Sequence, residues 1–272
     1  MSIFKGALHK MHSQLAQPVQ YRLKSDTDDL LIDSLLGQKL RLTFHGGINC
    51  IHCGRKTKKS FSQGYCYPCF RSLAQCDICI VSPEKCHFEQ GTCREPDWAE
   101  QHCMQDHIIY LSNTSGVKVG ITRHNQIPTR WIDQGAVQAL PILKVTQRYY
   151  SGLIETVFKQ YLNDKTNWRS MLKNDYVEQD LQAVFDEVWP KVSAQLDAKL
   201  LADVTVLAPA EEVVAISYPA NQYPTKVTSY NLDKNPFLED KLMAIKGQYL
   251  IFEQGVINIR KYAGYDVSID VI

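Results

Sequence analysis

All nine cysteines of this 272-residue chain fall between Cys50 and Cys103. Disulfide frameworks are spread over a small secreted domain, whereas thiols crowded into one stretch point to metal ligation. Cys50-Ile-His-Cys53 and Cys66-Tyr-Pro-Cys69 form two Cys-x2-Cys pairs separated by twelve residues. Each pair sets two thiolates on one tight turn, and four thiolates satisfy tetrahedral zinc. Gly54 supplies the backbone freedom that the first turn needs. A short helix is expected over "CFRSLAQ", directly after the second pair.

A second set follows: Cys76, Cys79, Cys86, Cys93, Cys103 and His107. Cys76 and Cys79 make another Cys-x2-Cys pair, and the expected quartet is Cys76, Cys79, Cys86 and Cys93. Cys103 and His107 compete for places in it, because residues four apart share a helix face. Two all-thiolate sets favour zinc over an iron–sulfur cluster, so two structural Zn2+ are expected. From Lys39 to Cys76 there is no Asp or Glu, while "GRKTKKSFSQGY" places Arg55, Lys56, Lys58 and Lys59 beside Phe61 and Tyr65. A basic loop interleaved with aromatics fits a nucleic-acid backbone, DNA or RNA, as partner.

The formal net charge of +1 gives no global sign of such a partner, and 44% hydrophobic residues allow a sizeable core. No run of about 18 apolar residues is present, which argues against a membrane span. The first twenty residues lack the apolar block of a signal peptide, so a soluble cytoplasmic protein is expected. Strands are expected at "PVQYRL" and "QKLRLTF" near the start, and at "EVVAISY", "TKVTSY", "QYLIFE" and "VINIRKY" in the tail. "LLGQKLRLTFHGGINC" can be laid over "AIKGQYLIFEQGVINI" with one gap, which raises a duplicated β unit whose halves pair. Helical spacing of Val177, Leu181, Val184, Phe185, Val188, Val192, Leu196 and Leu200 predicts one long helix over about 176–202, kinked at Pro190.

"HIIYLSNTSGVKVGIT" reads as a hairpin turning at 113–116, followed by a helix beginning near Pro128 and a second helix over "YYSGLIETVFKQYL". Across residues 107–165 the chain resembles the GIY-YIG nuclease superfamily. The matching residues are Tyr110 closing "IIY", Gly120 closing "KVG", Arg130 ten residues on, and Glu155 on the next helix. Ile108 and Lys118 depart from the pattern, Gln134 stands where a His is common, and Asn163 or Asn167 is the candidate for a late Asn. The resemblance implies a metal-dependent nuclease that uses Mg2+ or Mn2+. Glu155 would hold the ion, Arg130 would grip the phosphate with Arg123 as its rival, and Tyr110 or Lys118 would act as base. The alternative is a nucleic-acid-binding adaptor on a catalytically degenerate fold of the same type.

The chain taken whole looks like a bacterial family, domain of unknown function 2797. The residues pointing there are "GTCREPDW", "KVGITR", "RWIDQGA" and "KGQYLIF". The expected fold class is α+β, in four parts. These are an N-terminal β unit (1–49), a Cys-rich zinc-binding module (50–107), a GIY-YIG-like domain with its C-terminal helix (108–204), and a C-terminal β unit (205–272) that pairs with the first.

Overall fold

The computed structural model describes residues 2–162 and 165–272. Five strands come first: β1 (Phe4–Ala7), β2 (His12–Gln14), β3 (Gln20–Lys24), β4 (Asp29–Leu31) and β5 (Lys39–Ile48). The cysteine segment carries helices α1 (Tyr67–Ser72) and α2 (Pro96–His102). The hairpin β6 (His107–Asn113) and β7 (Val117–Arg123) follows, then α3 (Thr129–Asp133), β8 (Gln138–Val145) and α4 (Arg148–Phe158). Helices α5 (Trp168–Leu172), α6 (Leu181–Ser193) and α7 (Ala198–Asp203) lead to the short strands β9 (Thr205–Val206) and β10 (Val214–Ala215). The chain finishes with β11 (Phe237–Lys246), β12 (Tyr249–Phe252), β13 (Val256–Asn258) and β14 (Tyr265–Val271).

The architecture is mixed α+β. One antiparallel sheet runs β1-β14-β5-β11-β12-β13, so strands from the two ends of the chain interleave. Strand β5 lies between β14 and β11, with Leu42 opposite both Ile269 and Leu238. Alternation explains the pairing: Leu40 and Leu42 point inward while Lys39 and Arg41 face solvent. The second sheet has the order β10-β8-β6-β7, with β9 also on β8, and a small third sheet is β2-β3-β4. One face of β6 sends Ile108 and Tyr110 into a core shared with the terminal sheet, where Leu40, Leu242 and Tyr262 pack. The other face sends Ile109 and Leu111 against Ile154 and Phe158 of α4 and Phe185 of α6. Each such buried aliphatic side chain contributes roughly 1.5–3 kcal/mol.

Several expectations need correction. The single helix over 176–202 is two helices. Asp180 caps α6 by accepting from Ala183 N, Asp197 caps α7 by accepting from Leu200 N, and the chain breaks between them, so Pro190 lies within α6. A second capping Asp offers a new start that competes with continuing the helix. The tail strand expected at "TKVTSY" is reduced to an isolated bridge between Ser229 and Val256, while the long strand β11 was not foreseen. The laid-over halves also differ: β5 is one ten-residue strand, whereas its counterpart splits into β12 and β13.

Lys246, the last residue of β11, is fully buried. Its Nζ donates to Asn174 Oδ1 at 2.7 Å and lies 5.1 Å from the Tyr218 ring centre, with Tyr223 and Tyr176 just beyond. Burial pulls its pKa down to about 7. An unfolded lysine titrates near 10.4, so between the two values the unfolded chain binds the extra proton and stability rises with pH. Lys246→Met is therefore expected to stabilise the protein most below pH 7, by an amount on the order of 3 kcal/mol. That advantage should shrink toward pH 10. Denaturant titrations of both proteins across this range check it, and a pH-independent gap would mean that the tyrosines hold the ammonium charged.

Candidate active-site cleft and metal centre

Gly54, at φ +69°, lets the chain reverse after Cys53, and its N–H donates to Cys50 O at 2.8 Å. The Ile51 N–H donates to Gly64 O, bringing the second pair beneath the first, and Cys69 rides on α1. The sulfurs of Cys50, Cys53, Cys66 and Cys69 all lie within 4.8 Å of one another, and Cys53 Sγ is 3.8 Å from Cys66 Sγ. Four thiolates at about 2.3 Å from one zinc stand about 3.8 Å apart, so the donor set fits a tetrahedral metal. Burial works to raise the Cys50 thiol, but the backbone N–H groups of Cys53, Cys66 and His52 outweigh it and bring the pKa down to about 6. Burial and the neighbouring thiols push Cys69 the other way. This cluster can bind a metal ion.

A separate cleft of about 440 Å³ opens along β7, the end strand of its sheet. Lys118, Arg123, Arg130 and Glu155 all line it, together with Gly120, Gln134, Asp133, Lys10, Arg148 and Arg260. Arg130 comes from α3, whose Trp131 and Ile132 pack on the Tyr110 face of the sheet. Glu155 comes from α4, which packs on the opposite face. The two side chains line the same cleft at the edge of β7. Lys118 is buried, and Glu155 Oε2 lies 3.0 Å from Lys159 Nζ one turn along α4.

Tyr110 forms the floor rather than the lining. It is fully buried and sits directly across the ladder from Gly120. A Cβ at position 120 would come within 2.6 Å of the Tyr110 ring carbon and hydroxyl, so only glycine admits this tyrosine. Its hydroxyl donates to Gln134 Oε1 at 3.1 Å, and its ring packs edge-on against Trp131. Burial raises the phenol above its ordinary value, with Arg130 pulling the other way. A raised, sealed phenol works against a role as base.

Among the described residues, the cleft therefore carries six cations and two carboxylates, although the whole chain has a net charge of +1. Asp133 is already engaged: it pairs with Lys10 and accepts from Gln248 Nε2 at 2.8 Å. Arg260 and Lys10 had no sequence signal because each reaches the cleft from a segment remote in the chain, and Arg148 opens α4, two turns before Glu155. Burial lowers the pKa of both Arg148 and Arg260. The basic residues Arg55, Lys56, Lys58 and Lys59 lie outside the cleft, exposed on the hairpin of the thiolate cluster. Asn167 caps α5 by accepting from Ser170 N and does not line the cleft, and Asn163 lies outside the described residues.

In the second cysteine set, Cys79, Cys86, Cys93 and Cys103 line one small cavity, and Cys76 does not. Burial raises the Cys79 thiol to about 11 and raises Cys103 as well. His107 is buried in β6 with Nδ1 against Gln105 O, 2.7 Å away, and burial lowers its pKa to about 4. Among the described residues, no helix is long and apolar enough to cross a membrane. No curated protein and no solved structure matches the chain. The family described as "Protein of unknown function (DUF2797)" matches residues 37–267. That stretch runs from just before β5 into β14 and takes in both cysteine sets and every cleft-lining residue named above except Lys10, and so the chain belongs to the DUF2797 family.

Proposed function

We propose that the cleft binds the phosphate backbone of DNA or RNA and hydrolyses a phosphodiester with a divalent cation. The observation that carries this reading is the lining itself: Lys118, Arg123, Arg130 and Glu155 stand around one open cavity in a surround of positive charge. A phosphate-sized anion is what such a surround attracts. Support for a GIY-YIG type comes from element order, hairpin then helix then strand then helix, with Tyr110 and Gly120 paired across the hairpin. Glu155 is the carboxylate that would hold the ion, and one carboxylate in an open, wettable cleft suits Mg2+ or Mn2+. The bound ion would supply positive charge at the phosphate and acidify a water. Arg130 would fork onto non-bridging oxygens, and Lys118 and Arg123 would hold the flanking backbone. Lys118 lines the cleft, so of the two candidate bases it is the one within reach of a substrate water. Tyr110 would fix the floor through Gln134.

In the same reading, zinc occupies the thiolate cluster at Cys50, Cys53, Cys66 and Cys69, and a second metal sits in the segment from Cys76 to Cys103. Free thiols in this number fit a reducing compartment such as the cytoplasm. The second reading, a binding protein without cleavage, draws on the sealed Tyr110 and the Glu155–Lys159 pair. The deciding experiment incubates pure protein with branched, single-stranded and duplex DNA and RNA, with Mg2+, with Mn2+ and with neither. Ion-dependent cleavage is the expected result. Salt-sensitive binding with no cleavage supports the adaptor, and no binding below 100 mM salt removes both.

A further inference from the structure

The five thiols after Cys69 are sorted by the fold into four and one. Cys79 lies in the turn at Ile78–Ile80, Cys86 directly follows the turn at Pro83–Lys85, Cys93 lies in the loop before α2, and Cys103 ends α2. These four face a single cavity of about 10 Å³, room for one small occupant. The electrostatic neighbours of Cys103 include Cys86 and Cys93, and those of Cys79 include Cys86 and Cys103. Cys76 does not line this cavity, and its electrostatic neighbours are Arg94, Cys50 and Glu95. Among the described residues of this segment, the ligand atoms within 4.8 Å of one another are those of Asp77, Cys79 and His87; the four thiols around the cavity stand wider and would have to close on a metal. Asp77 is already committed, accepting from Arg94 Nε at 2.6 Å, and His87 Nδ1 is 2.8 Å from Thr92 Oγ1.

We propose that Cys79, Cys86, Cys93 and Cys103 form a second tetrahedral centre for a thiophilic divalent metal, zinc by preference, and that Cys76 is not a ligand. The assignment rests on the reading that this segment holds a metal, and it changes the quartet expected from spacing, exchanging Cys76 for Cys103. The centre also braces the cleft. Its two ends grip the first turn of α4: Arg148 N donates to Cys103 O at 2.8 Å, and Arg148 Nη2 donates to Ile80 O at 2.6 Å. Ile80, Val81 and Pro83 form part of the cleft wall. Gly152, one turn before Glu155, lies so close to Pro83 and Glu84 that a Cβ there would come within 2.6 Å of both. A metal that knots this segment therefore sets where Arg148 and Glu155 stand.

The test is metal content per full-length chain, measured by elemental analysis, with the spectrum of the cobalt-loaded protein as a second readout. Wild type should hold two metals with eight thiolate ligands. Cys103→Ala should hold one, while Cys76→Ala and Asp77→Asn should keep two. Cys103→His, which preserves a ligand atom, should recover the second metal with seven thiolates even if the alanine variant does not fold. Loss of a metal in Cys76→Ala or Asp77→Asn, or two metals retained in Cys103→Ala, overturns the ligand set. A single metal in wild type would instead refute the two-metal reading beneath it.

Discussion

Glu155→Gln is expected to slow ion-dependent cleavage by about 10²–10³-fold while nucleic-acid binding survives. Glutamine has the size of glutamate, so α4 keeps its packing through Ile154 and Phe158. The structural loss is the i,i+4 pair with Lys159, worth roughly 0.2–0.5 kcal/mol. The chemical loss is far larger. Among the described residues, Glu155 is the one cleft-lining carboxylate not tied to Lys10 and Gln248, so under the proposed function its removal would take away the anchor for a divalent ion. By comparison with the loss of a single transition-state contact, about 2–4 kcal/mol or more of catalysis should go, a rate drop of about 10²–10³-fold. Removing a negative charge from a cleft with six cations should leave affinity unchanged or slightly tighter. Gel-shift and cleavage assays on the same substrate read the two effects separately. A variant that cuts as fast as wild type ends the active-site assignment, and one that neither cuts nor binds shows Glu155 to be structural.

Cys53→Ala should remove one metal per chain and unfold the knuckle around it. Cys53 is exposed whereas Cys50 and Cys66 are buried, so this substitution leaves almost no cavity and its effect reports the metal alone. A structural zinc site is worth on the order of 10 kcal/mol of binding free energy at neutral pH, and most of that is folding free energy. The consequence stays local at first, because residues 50–66 have little core of their own. They are held by backbone bonds such as Ile51 N to Gly64 O, and tied to the main sheet by Asn49 N to Gly264 O at 2.7 Å. Limited proteolysis should therefore cut between residues 54 and 64 in the variant and in chelator-treated wild type, while β6 to β8 stay protected. Equal resistance in variant and wild type would show that the thiols pack without a metal.

Local signals carried the hairpin at 107–123, since strand alternation and a turn at Gly116 need nothing from the rest of the chain. They also carried the first thiolate cluster, where two Cys-x2-Cys turns dictate their own geometry. They misread the helical stretch after residue 176, because an apolar stripe continues through a break that only Asp197 marks. The second cysteine set was less legible: pair spacing favours Cys76 beside Cys79, whereas the cavity that takes in Cys79, Cys86 and Cys93 is lined by Cys103 and not by Cys76.

By itself, the amino-acid order determined which residues are chemically equipped: clustered thiols, the Tyr110 and Gly120 pair, one arginine and one glutamate on successive helices. The tertiary structure decided which of them meet. Arg148, Arg260 and Lys10 entered the cleft, and Arg55, Lys56, Lys58 and Lys59 stayed outside it, because sheet pairing and core burial act between segments up to 250 residues apart. Charge at a site is a sum over whatever the packed chain brings within a few ångströms, and that sum has no counterpart in local sequence.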